Sequence, residues 1–144
     1  IASGDWSSDV CSSDLELQSP LVFNFYVSKV MGAAAGAVKR FCNYMSTKER
    51  AHYLNTFKRN GKTIAETIAI DMQDILNEKF NCVVYEPMLV GIVEINEKEC
   101  TFTPEFLVDV EYHFDESENI EPSKVREDLK NVLRKGFGSD WMID

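Results

Sequence analysis

The chain has 144 residues, a formal net charge of −9, 44% hydrophobic and 27% charged residues. That size and mixture suit one water-soluble domain with a core of its own. Four cysteines without a CxxC spacing argue against a disulfide framework, and free thiols point to the cytoplasm or another reducing compartment.

Residues 1–15 stand apart. Ser7-Ser8-Asp9-Val10 is nearly repeated as Ser12-Ser13-Asp14-Leu15, with no basic residue and little apolar periodicity. The stretch resembles translated sequencing adapter, lacks the charged start and apolar middle of a signal peptide, and is expected to be non-native or disordered. On that reading the natural N-terminus is missing. The rest divides into a basic helical region at 16–62, an α-βββ-α core at 63–136 and a tail at 137–144.

The charge is split between these parts. Residues 20–62 hold eight basic residues against Glu49 alone, a net of +7, while residues 63–144 hold nineteen acidic and seven basic residues, a net of −12. Such asymmetry favours association, within the chain or between copies.

Residues 21–45 are apolar and rich in small side chains, which predicts a helix. The β-prone run at 21–28 makes a strand the competing expectation. The Gly-Ala-Ala-Ala-Gly run at 32–36 suits close helix contact. Asn24, Ser28 and Lys29 interrupt the apolar run, which argues against a membrane span. Ser46 and Glu49 have capping-box spacing and open a second helix, which Asn60-Gly61 would end. Thr63 and Glu66 repeat the box and open a third. Its apolar positions 64, 68, 72, 75 and 76 line one face, and it reaches about residue 79.

The period then changes to that of strands at 82–85 and 88–95, interrupted by Pro87, with a turn at Asn96-Glu97-Lys98. Residues 101–114 alternate most clearly: Phe106, Val108, Val110, Tyr112 and Phe114 against Leu107, Asp109, Glu111 and His113. This predicts an antiparallel sheet with one wet side, and Pro104 marks an edge or a bulge. Pro122 opens a last helix, which Gly136 ends. The expected fold is therefore α+β: N-terminal helices, a three-stranded antiparallel sheet and a C-terminal helix. With a strand at 21–28 the order approaches a ferredoxin-like βαββα sandwich. The helix–three strands–helix order also resembles that of a double-stranded-RNA-binding domain, whose basic last helix would correspond to Lys124, Arg126, Lys130, Arg134 and Lys135. The acidic strands beside it argue against that use.

Few residues carry chemistry. Gly61-Lys62-Thr63 resembles the end of a phosphate-binding loop, but Thr56 stands where the first glycine should be and the preceding segment is not strand-like. Asp109, Glu111 and His113 share one strand face and are the candidates for a metal or for acid–base work, against the plainer reading of a solvated outer face. Cys42 has no base beside it. No cofactor motif is present. Lys39, Arg40, Arg50, Lys58, Arg59 and Lys62, interleaved with Phe41, Tyr44, Tyr53 and Phe57, form the candidate binding face. The composite expectation is a non-enzymatic interaction or assembly protein, working through a basic helical face and an acidic sheet face. Its partner would be another protein or a second copy. Nucleic-acid binding and a small metal-dependent enzyme are the alternatives.

Overall fold

Alternation of apolar and polar residues puts two strands side by side at the centre of the molecule. The computed structural model describes residues 20–32, 40, 46–115 and 117–144. Strand β1 (Leu21–Lys29) continues after Val30 as the short β2 (Met31–Gly32). Helix α1 (Thr47–Thr56) leads into a hairpin of β3 (Lys58–Arg59) and β4 (Lys62–Thr63). Helix α2 (Ile64–Asn77) is followed by β5 (Cys82–Val84), β6 (Met88–Asn96) and the long β7 (Thr101–Tyr112). Helix α3 (Pro122–Phe137) and β8 (Trp141–Ile143) complete the described chain.

The fold class is α+β, but the sheet is larger than three strands. Six strands join one antiparallel sheet: β7 pairs β1 and β2, and also β5 and β6, while β1 pairs β8. In space the order is β8, β1, β7, then β5 and β6 as two successive segments against β7. A separate two-stranded sheet joins β3 to β4.

The helix expected over 21–45 is corrected at its start. Phe23, Phe25 and Val27 are buried while Val22 and Tyr26 are exposed, a period of two that a helix cannot present to one core. β-branched and aromatic residues then fill a pleated surface. The rest of that predicted helix, including the small-residue run at 32–36, falls mostly outside the described residues, as do residues 1–15.

Both capping boxes form. Ser46 Oγ accepts from the Glu49 amide and Glu49 Oε1 accepts from the Ser46 amide at 2.9 Å; Thr63 and Glu66 do the same, with the return bond at 2.8 Å. The donated amide bonds hold both carboxyls below their ordinary range.

The end of α1 is also corrected. The helix stops at Thr56, and Asn60-Gly61 forms the turn between β3 and β4. Both residues have positive φ, 57° and 80°, as a two-residue hairpin turn of the twisted kind demands.

One face of the sheet carries the core. Phe25, Val27, Phe106, Val108 and Val110 pack under Ile68, Met72 and Leu76 of α2 and Leu129 and Leu133 of α3. Each such side chain contributes roughly 1.5–3 kcal/mol by leaving water. A second cluster seats Leu54 of α1 on Phe102, beside Met31 and Ile95. Pro104 lies in a central strand, not an edge. It sits where the β1–β2 pairing is interrupted at Val30, and where the β6 register shifts between Ile92 and Glu94.

The last turn of α3 runs past Gly136 to Phe137, and the chain after it docks. Trp141 stacks on Phe137 at 4.4 Å, Ile143 is buried, and Arg134 donates twice to the Ile143 carbonyl, at 3.2 and 2.9 Å.

Candidate functional site

Both described helices of the core, α2 and α3, lie against one side of the sheet, so neither covers the side chains of opposite parity on β1, β5, β7 and β8; these form an open face except at Ser28 and Thr103, which are buried. The register places Val22 beside Glu111, Asn24 beside Asp109, Tyr26 beside Leu107 and Ser28 beside Glu105. Val83 flanks Glu111 from the other side, Met88 flanks Leu107, and Met142 flanks Ser28. Val22, Tyr26, Val83, Tyr85, Met88 and Met142 are each 39–61% exposed. Val22 and Val83 are separated by Glu111, but Tyr26, Leu107 and Met88 lie side by side as one apolar row, and apolar side chains gathered on one face, unlike ones scattered singly, mark an interaction surface.

The polar groups of that face are acidic. Glu105, Asp109 and Glu111 stand at alternate positions of β7, and no lysine or arginine occupies an open-face position of β1, β5 or β7. Glu111 is the most engaged. Tyr85 donates its hydroxyl to Glu111 Oε2 at 2.9 Å, and His113 Nε2 lies 2.8 Å from Oε1. The bond to the carboxylate, more than burial, raises the Tyr85 hydroxyl above its ordinary value.

The candidate trio of Asp109, Glu111 and His113 does lie along one strand side, as expected of β geometry. Only Glu111 and His113 come together. Among the described residues no group of three or more His, Cys, Asp or Glu side chains is placed to hold a metal ion.

The candidate basic residues divide. Lys39 lies outside the described residues, and Arg40 is exposed. Arg50 is half-buried on α1. Lys58, Arg59 and Lys62 come together on the β3–β4 hairpin, where Arg59 pairs directly with Lys62. Arg59 and Lys62 flank a recess of about 150 Å³ that also takes Lys29, Met31, Phe57 and Trp141 into its wall. Phe57 stacks on Tyr53 at 5.6 Å, and Arg59 lies 5.8 Å from the Phe57 ring. Of the candidate aromatics, Phe41 and Tyr44 lie outside the described residues.

The sequence did not single out Lys29 or Trp141 for this recess. They meet because β8 pairs with β1, which sets Lys29 opposite Trp141 with the ammonium 4.9 Å from the ring. No local signal announces a pairing between opposite ends of the chain. The open-face group was hidden for a related reason: strand parity marks which residues leave the core, not whether anything covers them.

Among the described residues no helix is long and apolar enough to cross a membrane. Comparison with family models, with curated proteins and with solved structures finds no match.

Proposed function

We propose that the protein works by association rather than catalysis, and that the open face of its sheet docks a second copy of the chain. The carrying observation is the face itself: Val22, Tyr26, Val83, Tyr85 and Met88 are exposed there, with Glu105, Asp109 and Glu111 among them and no lysine or arginine at an open-face position of β1, β5 or β7. A complementary surface must offer apolar area and positive charge. The chain supplies one in the β3–β4 hairpin, where Lys58, Arg59 and Lys62 gather beside Phe57.

A contact between unlike surfaces is heterologous, so copies would join head to tail into a ring or an open chain. This fits an assembly component. The spatial order β8–β1–β7–β5/β6, with α2 and α3 on one side, supports a ferredoxin-like βαββαβ reading, in which the uncovered sheet face is free to receive a partner.

Nucleic acid fits this face poorly. Tyr26 and Tyr85 offer rings for base stacking, but three carboxylates repel a phosphate backbone and no lysine or arginine shares their face of β1, β5 or β7.

Sedimentation velocity of the full chain tests the proposal. It should show association at low salt that weakens as ionic strength rises and the Debye length shrinks from about 30 Å toward about 3 Å. Tyr26→Ser with Met88→Ser, and separately Arg59→Glu with Lys62→Glu, should each shift the chain toward monomer. Both pairs lie at exposed positions and leave the core intact. A monomer at every concentration and salt, or association indifferent to both pairs, would overturn it.

A further inference from the structure

The recess between the hairpin and the sheet has a polar mouth and an apolar floor. Ile68, Pro104 and Phe106, all buried, form the floor. Met31, Phe57 and Trp141 also line it, together with three cations, Lys29, Arg59 and Lys62. None of the three has an ion-pair partner among the described residues. The carboxylate of Glu66, which accepts from the Thr63 amide at 2.8 Å, lies near enough to feel the charge of Lys62 but forms no ion pair with it. Lys29 lies over the Trp141 ring and Arg59 near the Phe57 ring, contacts that orient these two cations without neutralising them.

From this we infer that the recess is a binding site for a small amphipathic carboxylate, with its apolar group on the floor and its carboxylate among Lys29, Arg59 and Lys62. Two independent features determine the ligand class. The volume of about 150 Å³ matches a cavity known to accept one benzene-sized group, which is about six carbons. The recess is lined by three cations and by no carboxylate, so it favours a ligand with a negatively charged end. A purely apolar ligand would leave the cations unused, and a small hydrophilic anion would leave the floor empty.

The floor is built by residues far apart in sequence. Ile68 comes from α2, Pro104 and Phe106 from β7, and Trp141 from β8, so the site exists only in the folded chain. It is separate from the open sheet face, because Phe106 and Ile68 belong to the side of the sheet that the helices cover.

The test uses the unaltered chain and three probes: hexanoate, 1-hexanol and acetate. Hexanol keeps the chain without the charge, and acetate keeps the charge without most of the chain. Titrations are followed by the NMR signals of the Trp141 indole N–H and of the Ile64 and Ile68 methyls. Hexanoate should move these signals saturably, and should bind about tenfold tighter than either of the other probes. Arg59→Gln with Lys62→Gln, at two exposed positions, should weaken hexanoate roughly tenfold, the effect of two partly screened ion pairs, and leave hexanol unchanged. If hexanoate and hexanol bind alike, the cations play no part and the inference fails. It also fails if no probe moves the Trp141, Ile64 and Ile68 signals, or if hexanoate moves signals elsewhere. The comparison among probes on the unaltered chain decides the matter even where a variant misfolds.

Discussion

Gly136 and Ile75 stand so close that a β-carbon at position 136 would lie 2.7 Å from Ile75 Cγ2 and 2.9 Å from Cγ1 and Cδ1. The glycine is inside α3, one residue before its end, and Ile75 is on α2. Helices α2 and α3 therefore meet where one of them has no side chain. Replacing glycine by alanine in a helix ordinarily gains about 1 kcal/mol. Here the methyl meets a β-branched side chain whose Cγ atoms sit next to the backbone, and overpacking costs typically 1–3 kcal/mol. The overpacking wins. Gly136→Ala should lower stability by about 1 kcal/mol in denaturant unfolding. In the Ile75→Ala background the same change should become neutral or stabilising, so the double-mutant cycle should show clear coupling. A stabilised Gly136→Ala single variant would show that the two helices have room to spare.

The same glycine shows what the sequence could and could not say. Read locally, a glycine near the end of a helical pattern is a stop, and Gly136 is expected to end α3. Its tertiary role as a contact point for Ile75 has no local signature. Asn60-Gly61 errs in a similar way. Two residues tolerant of positive φ are expected to end a helix, and they do adopt positive φ, but as the turn of a hairpin. The chemistry of the turn was legible and its partner strands, two residues each, were too short to show a period. By contrast, both capping boxes and the alternation of Phe106, Val108 and Val110 were legible because each is decided within a few residues. At β1 the strand and helix patterns compete over nine residues, and pairing with β7 decides between them. For the candidate site, the hairpin cations were visible as a basic run. Lys29 and Trp141, which complete the recess, depend on the β1–β8 register.

Arg134 ties the end of the described chain to α3. Its Nε and a terminal nitrogen both donate to the Ile143 carbonyl, and hydrogen bonds from a charged donor contribute about 1.5–3 kcal/mol. That contribution holds β8 on β1, and with it Trp141 in the wall of the recess. Arg134→Ala should lower global stability by about 1–2 kcal/mol. It should also shift Trp141 emission to longer wavelength as the ring gains water. Arg134→Lys keeps the charge but not the forked geometry, and should recover only part of both effects. Unchanged emission in Arg134→Ala would mean that β8 is held by its pairing with β1 and by Ile143 alone.

Cys82 carries the last prediction. It is 4% exposed at the start of β5, beneath α2. There the Gln73 side chain accepts from the Val84 amide at 2.9 Å and donates to the Cys82 carbonyl at 2.7 Å. Gln73 thus occupies backbone groups of an edge strand and keeps the segment closed over the thiol. Burial pushes the Cys82 thiol from 9.0 up to about 11, because an apolar surrounding disfavours the thiolate. In native protein at pH 8 the thiol should resist alkylation, and should react at the rate of opening of the β5 segment. Gln73→Ala should speed that reaction more than it lowers global stability. The same burial fixes the sign of the pH dependence. The folded value lies above the unfolded one, so the unfolded chain releases its proton first. The associated stability is complete below pH 9, declines as pH rises toward 11, and amounts to at most about 3 kcal/mol. Cys82→Ala removes this contribution. Between pH 9 and 11 the variant should therefore lose less stability than the unaltered chain, measured by urea unfolding at each pH. Parallel losses in the two proteins would show that the thiol meets water in the folded state, and that β5 is not closed over it.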